Sequence, residues 1–158
     1  GSMYYDPFTL EFPEPLFAIL ENGRLAGFDG PAAEVRRADA HYDFVAERFG
    51  IDRDCVHSWH AGIHPGCAFP WPIRDSYERW SGAAFGNPRI LHFHTCGAYP
   101  PGEICWNVID PTLSADGTAL WEDGVLRLDR VPGAADLLAG HPEMAALFAN
   151  PSRAIGID

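Results

Sequence analysis

The stretch RILHFHTCGAYPPGEICWNVID, residues 89–110, predicts two β-strands joined by a turn. Glycine and proline in its middle interrupt regular pairing, while both flanks are rich in β-branched and aromatic residues. Because side chains alternate between the two faces of a strand, His92 and His94 share one face of the first strand. Cys105 and Asn107 likewise share one face of the second. If the strands pair, two imidazoles, a thiol and an amide meet on one face of the sheet.

A third imidazole can reach this cluster from an earlier strand. Residues 55–61 favour a strand, and they carry His57 and His60. Imidazole and thiolate are ligands that zinc and related transition metals prefer. One interpretation is therefore a metal site with the ligand set His60, His92, His94 and Cys105. The other is a set of half-buried side chains whose partners are backbone groups or water, because the spacing His-x-His is common in strands.

The residues before this stretch predict a hairpin and a long helix. Residues 16–28 hold two apolar runs around Asn22-Gly23, a dipeptide that accepts the positive φ angles of a tight hairpin turn. Residues 31–49 place apolar side chains at helical spacing, and Gly50 ends the helix. These elements predict a β-hairpin followed by the clearest helix of the sequence.

Residues 67–88 carry many prolines and glycines and predict a long loop, with a short helix near residues 75–80. Long loops in compact domains are usually functional or mobile. The aromatic side chains of this loop can line a ligand groove or cover the core, and the sequence leaves both open. These side chains are Phe69, Trp71, Tyr77 and Trp80.

The C-terminal third predicts another hairpin and two short helices. The hairpin turns at residues 122–124, with Asp116-Gly117 just before it. Residues 132–149 predict helices that are separated at Gly140 and restart at Pro142. The fold class is therefore α+β, with a mixed, mainly antiparallel twisted sheet or partial β-barrel of six to eight strands, one long helix and small terminal helices.

The composition indicates a single domain. The chain has 158 residues; Gly1–Met3 resemble a cloning remnant, and residues 4–158 are enough for one hydrophobic core. The formal net charge of -11 opposes contact with a phosphate backbone, so we expect no nucleic-acid partner. No apolar run approaches the roughly 18 residues of a membrane helix, and no secretion signal is visible. We therefore expect a cytoplasmic protein with no membrane partner, whose four cysteines are reduced thiols.

The order of several motifs resembles a known superfamily. The turn NGR at 22–24, the segment GIHPG at 62–66, the histidine strand and CWNVIDPTLSADGTALWEDGVL at 105–126 follow one another. In this order they resemble the C-terminal part of the 2,5-dihydroxypyridine dioxygenase and thermophilic metallo-aminopeptidase superfamily, which carries a GlNP turn and an HWD metal motif. The resemblance covers residues 16–128. It implies a truncated relative, since the family's N-terminal half has no counterpart in this sequence.

The resemblance also implies a degenerate metal site. The family's HWD motif supplies a histidine and an aspartate to the metal, and the matching positions here are Cys105, Trp106 and Asn107. A non-haem iron oxygenase typically needs two histidines and one carboxylate. Because a neutral amide replaces that carboxylate, we do not expect iron to be held for catalysis. Zinc on thiolate and imidazole ligands remains open.

The leading hypothesis is a non-catalytic pseudoenzyme that keeps the family's cavity as a binding site for a peptide or a small molecule. Such a protein can guide a precursor peptide in natural-product biosynthesis, and strand addition at an open sheet edge would give the affinity. This hypothesis assigns no catalytic residue, metal or cofactor, and it allows a homodimer that completes the sheet edge. The expected ligand-binding residues are Trp59, His60, His64, Trp71, Tyr77, His92, His94, Cys105 and Asn107.

The competing hypothesis is an active metal-dependent enzyme. It would be a ring-cleaving non-haem iron dioxygenase or a small metallohydrolase, with iron or zinc on the same imidazoles and thiol. Hydrolases that use a serine elbow, and enzymes that use a glycine-rich phosphate loop, are not indicated, because neither motif occurs in the sequence. A third hypothesis is an interaction subunit whose missing half is supplied by another chain.

Overall fold

The structure, a computed structural model, describes residues 10–157, so Gly1–Met3 lie outside the described residues. The described residues are 31% helix and 30% strand, which confirms the α+β class. The strands are Phe17–Glu21 (β1), Arg24–Asp29 (β2), Val56–Ala61 (β3), Ile90–Cys96 (β4), Glu103–Ile109 (β5), Leu113–Ala115 (β6), Thr118–Glu122 (β7) and Val125–Leu126 (β8). The helices are Ala32–Phe49 (α1), Tyr77–Ala84 (α2), Ala134–Ala139 (α3) and Pro142–Ala149 (α4), with short 3-10 turns at Ile73–Asp75 and Leu128–Arg130.

The eight described strands form three small sheets. Their strand orders are β1-β2, β3-β4-β5 and β6-β7-β8. These sheets are not closed into a barrel, so the structure corresponds to the open-sheet form of the predicted fold class. One physical reason is that β6 and β8 are three and two residues long. Irregular pairing in β1 and β6 also interrupts the ladders, and barrel closure needs continuous pairing around the sheet.

The described residues belong to two compact units. The first contains residues 10–59 and 93–106, and the second contains residues 60–92 and 107–157. The division passes through β3, β4 and β5, each of which is one continuous strand. The prediction of a single domain over residues 4–158 stays a prediction.

The hairpin and the long helix of the first unit form where the sequence predicted them. Asn22 and Gly23 both adopt positive φ, at 51° and 75°, as a tight turn between β1 and β2 requires. The helix α1 ends at Gly50, whose φ of 64° is left-handed and whose amide donates to the carbonyl of Ala46. Both predictions are confirmed, because the local turn and cap chemistry decides these boundaries.

The core of the first unit is built around Tyr42 of α1. Its hydroxyl accepts a hydrogen bond from Trp106 Nε1 at 2.5 Å and bonds to Thr95 Oγ1 at 2.5 Å. Thr95 Oγ1 in turn donates to the carbonyl of Ile104 at 3.2 Å, so the Tyr42 hydroxyl donates to Thr95. Burial raises the pKa of Tyr42 to about 12. Apolar side chains surround this chain of bonds, among them Leu25, Val45 and Cys96.

The core of the second unit contains Phe69, Trp80, Ala84, Ile90 and Ile155. Of the loop aromatics, Phe69 and Trp80 are therefore core residues, while Trp71 is exposed and packs edge-on against Phe69. The short helix of this loop, α2, begins after Ser76, whose Oγ accepts the amide of Arg79. It extends to Ala84, beyond the predicted end near residue 80, because Gly82 is accommodated within the helix.

A fully buried asparagine joins three segments of the second unit. Asn87 donates from Nδ2 to the carbonyls of Cys67 and Ser152, and its Oδ1 accepts the amide of Arg89. Arg89 forms a two-pronged ion pair with Asp110 at 2.6 and 2.7 Å. These bonds fix the start of β4 within the second unit.

All four cysteines are free in the structure, and Cys96 is buried whereas Cys55, Cys67 and Cys105 are half-buried. That the thiols are reduced stays a prediction. No helix within residues 10–157 combines the length and the apolar character that crossing a membrane requires.

Candidate metal centre

The central strand β4 presents two chemically different faces. On one face Phe93 stacks on Trp59, with ring centroids 4.5 Å apart, and lies parallel to Trp106 at 5.9 Å. Because side chains alternate along a strand, His92 and His94 point to the opposite face. Because the aromatic rings pack on one face of β4, both imidazoles lie on the other face of that strand.

The register between β4 and β5 follows from hydrogen bonds at the two ends of the ladder. The amide of Gly97 donates to the carbonyl of Gly102 at 2.9 Å. At the far end the amide of Asp110 donates to the carbonyl of Arg89 at 2.8 Å. The number of residues between the two bonds is equal on both strands, so counting from either end gives the same antiparallel pairs.

This register places the polar side chains of β4 and β5 opposite one another. Cys105 lies opposite His94, and Asn107 lies opposite His92. Both are positions of the ladder that exchange no backbone hydrogen bonds, where facing side chains approach most closely, with Cβ atoms roughly 5 Å apart. The polar face predicted from residues 89–110 is therefore present at these strand positions.

The third imidazole comes from β3. The rings of His60 and His92 are stacked, with centroids 4.6 Å apart and planes 11° apart. The amide of Gly62 donates to the carbonyl of Ile90 at 3.0 Å, and this bond aligns the end of β3 with β4. The ring of Phe85 lies 4.2 Å from the ring of His92 and forms an apolar wall beside it.

The three imidazoles form a group with metal-binding spacing. One nitrogen of each of His60, His92 and His94 lies within 4.8 Å of the nitrogens of the other two. Donor atoms around a tetrahedral ion with bonds of about 2.05 Å are about 3.3 Å apart. The limit of 4.8 Å is wider than this separation, so side-chain rotation is needed to bring the three nitrogens onto one ion. His92 is 9% exposed and His60 is exposed, so the group is reachable from solvent on the β3 side.

Glu103, the first residue of β5, contacts one imidazole of the group. Its carboxylate pairs with Nδ1 of His94, and both side chains are largely shielded from solvent, at 15% and 20% exposure. A carboxylate that holds one ring nitrogen of a histidine is a common outer partner in metal sites. Sequence reasoning missed Glu103, although its spacing from Cys105 and Asn107 puts all three on the same face of β5.

Cys105 does not belong to the three-histidine group in the described part of the chain. Its side chain is half-buried, and its Sγ contacts the carbonyl of Trp106 at 3.9 Å. Burial raises the pKa of the Cys105 thiol to about 11, so the neutral thiol is the resting form. The structure thus brings together three of the four ligands in the predicted metal set.

The remaining histidine of β3, His57, has a different environment from His60. Its Nε2 lies 2.8 Å from the carbonyl oxygen of Cys96, and a carbonyl can only accept, so Nε2 carries the proton. Its Nδ1 lies 3.9 Å from Sγ of Cys55. Of the two candidates that the sequence left open, His60 is the one in the imidazole group.

The other predicted ligand-binding residues lie at separate places in the chain. Trp59 is half exposed and lies on the aromatic face of β3, so it points away from His60. His64 follows β3 and accepts the amide of Gly66 at Nδ1, at 3.1 Å. Trp71 lies in the loop before α2, where the guanidinium of Arg79 covers its ring, and Tyr77 begins α2.

Comparison of the chain with protein-family models, with curated proteins and with solved structures gives no match. The resemblance to the dihydroxypyridine dioxygenase and metallo-aminopeptidase superfamily therefore stays a prediction. Function is therefore inferred from the arrangement of side chains on the β3-β4-β5 sheet.

Proposed function

We propose that this protein is a metalloprotein that binds one divalent transition-metal ion, with zinc as the best-suited metal, through His60, His92 and His94. The observation that carries the proposal is that one nitrogen of each imidazole lies within 4.8 Å of the other two. Strand alternation and the His60–His92 stack give this spacing before any ion is bound. The geometric cost of assembling the site is therefore small.

The chemistry of the donors favours zinc over harder ions. Imidazole suits zinc, copper, nickel and iron, whereas magnesium and calcium prefer oxygen ligands. The non-haem iron oxygenases use two histidines and one carboxylate, a set that differs from three imidazoles. A three-histidine zinc site has a fourth position for water or another ligand, and zinc lowers the pKa of that water. This donor set supports a metallohydrolase more than an iron dioxygenase.

Zinc titration of metal-stripped protein without a polyhistidine tag tests the proposal. We expect one zinc ion per chain, and we expect His92→Ala and His94→Ala each to weaken binding by more than about tenfold, because each removes a third of the donors. His141→Ala is the matched control, since His141 is exposed and lies just before α4. Unchanged zinc binding in His92→Ala and His94→Ala, or no zinc binding by the parent protein, would contradict the proposal.

The peptide-binding function stays a prediction, and one structural feature bears on it. The strand β5 is at the edge of the three-stranded sheet, and Asn107 and Val108 on it are exposed. An extended peptide can add to such an edge through main-chain hydrogen bonds. The net charge of -11 favours a basic peptide. Calorimetry against a candidate precursor peptide would reject this function if no heat of binding is seen at high peptide concentration.

A further inference from the structure

We infer that Glu103 is a positioning residue for the metal centre. Its carboxylate holds the proton of His94 on Nδ1, and this leaves Nε2 of that ring as the metal donor. The inference rests on the proposed metal-binding function. The observation behind it is the contact between the Glu103 carboxylate and Nδ1 of His94. The pair lies on neighbouring strands and on the same face as the imidazole group.

The backbone just before Glu103 is paired and closely packed. Gly102, just before it, accepts the amide of Gly97 across the turn. A Cβ atom at Gly102 would lie 2.6 Å from Cδ1 of Ile51 and 3.4 Å from Cβ of Phe49. This close packing fixes the position at which β5 begins. Glu103 therefore approaches His94 from a defined direction.

The chemistry of the contact selects one form of the imidazole. An ionised carboxylate can only accept hydrogen bonds, so the ring nitrogen that faces it must carry a proton. In neutral His94 a proton on Nδ1 makes Nε2 the nitrogen whose lone pair can bind a metal ion. The carboxylate also places one negative charge next to a centre whose three imidazole ligands are neutral. Outer partners of this kind typically change metal affinity about 10- to 100-fold.

Three substitutions separate the effects of charge and hydrogen bonding. Glu103→Ala removes both, and we expect zinc affinity to fall about 10- to 100-fold. Glu103→Gln keeps a carbonyl acceptor and removes the charge, so we expect a smaller loss. The matched control is Glu143→Gln, because Glu143 also contacts a histidine, His141, with both side chains exposed. We expect zinc affinity to be unchanged in this control.

A second measurement follows the proton itself. Nitrogen NMR of the imidazoles in the metal-free protein should show His94 with its proton on Nδ1, and this preference should be lost in Glu103→Ala. A residue that only supports the fold would not change the tautomer in this way. The tautomer of His94 in the parent protein can be measured even if Glu103→Ala does not fold.

The outcomes distinguish this inference from the proposed function. If the parent protein binds no zinc, the proposed metal-binding function fails. If the parent protein binds zinc while Glu103→Ala binds it equally well, metal binding stands and the role of Glu103 is overturned. A proton on Nε2 of His94 in the parent protein would also overturn that role.

Discussion

Tyr42 illustrates how a polar side chain is accommodated in the core of the first unit. Its hydroxyl both accepts and donates, in a chain that runs from Trp106 through Thr95 to the carbonyl of Ile104. A buried hydroxyl without partners would be costly, whereas this one is fully paired. The remaining effect of burial is electrostatic, because the phenolate is disfavoured and the pKa of Tyr42 is raised to about 12.

The raised pKa of Tyr42 gives a prediction for alkaline pH. Its folded-state pKa of about 12 lies above the ordinary value of 10.0, so the stability that neutral Tyr42 contributes is complete below pH 10 and is lost as pH rises toward 12. An absorbance titration should show that Tyr42 ionises late. In Tyr42→Phe the late step should be absent, and we expect a loss of roughly 1–3 kcal/mol in the free energy of unfolding at neutral pH.

Some of the site residues were predictable from sequence and others were not. Strand alternation was enough to put His92 and His94 on one face. The choice between His57 and His60 needed the register of β3, which a local pattern does not contain. Glu103 lies on the predicted face, but its contact with His94 depends on the pairing of β4 with β5. Pairing between strands is a property of the assembled sheet, so the sequence pattern alone did not indicate a positioning residue.

At the scale of elements, close approach of two backbones explains why Gly62 follows β3. A Cβ atom at Gly62 would lie 1.9 Å from the carbonyl oxygen of Asn87, which no small adjustment can relieve. The carbonyl of Gly62 also accepts the indole N–H of Trp121 at 3.0 Å. By contrast, a Cβ atom at Gly82 within α2 would meet nothing within 4 Å.

These two glycines provide a matched pair of substitutions. We expect Gly62→Ala to lower the free energy of unfolding by roughly 3 kcal/mol or more, because the new methyl group overlaps backbone atoms. We expect Gly82→Ala to raise it by about 0.5–1 kcal/mol, because alanine is the better residue inside a helix. Urea unfolding of both variants measures the difference. Equal stability of the two variants would show that the approach of Gly62 to Asn87 is not tight in solution.

Elements with strong local signals were predicted well, and elements set by packing were not. Asn22-Gly23 and Gly50 determine a turn and a helix end through backbone conformation alone. The three strands after Asp110 were predicted as one hairpin, although positive φ at Asp116 and at Asp123 gives two successive turns. The loop aromatics were undecided, because burial of Phe69 and Trp80 depends on Ile155, far along the chain.

At the scale of the whole molecule, an ion pair between a buried guanidinium and a partly exposed carboxylate links β4 to the end of β5 in the second unit. The Arg89 guanidinium is 9% exposed and is paired with Asp110. The hydrogen bond from Arg89 lowers the pKa of Asp110 below its ordinary value. Removing the carboxylate charge would leave the buried guanidinium without its counter-charge.

Acid unfolding should report this ion pair. Because the folded-state pKa of Asp110 is lowered, its contribution to stability is present above its ordinary value of 3.8 and is lost as pH falls through the folded-state pKa. We expect Asp110→Asn to be less stable by roughly 1–2 kcal/mol at neutral pH, since the carboxylate is partly exposed, with the difference shrinking below about pH 4. Asp136→Asn, at an exposed position of α3, is the control. A difference that stays constant from neutral to acid pH would contradict the assignment.

The segment at 152–156 holds distant parts of the second unit together. Its backbone carbonyls accept hydrogen bonds from Asn87, Arg89 and the indole of Trp80, residues that are synthesised 64 to 75 positions earlier. Until this segment is made, Phe69, Trp80 and Ile90 lack the side chain of Ile155 that completes their core. The core of the second unit is therefore completed by contacts between residues that lie far apart in the sequence, and contacts of this kind slow folding.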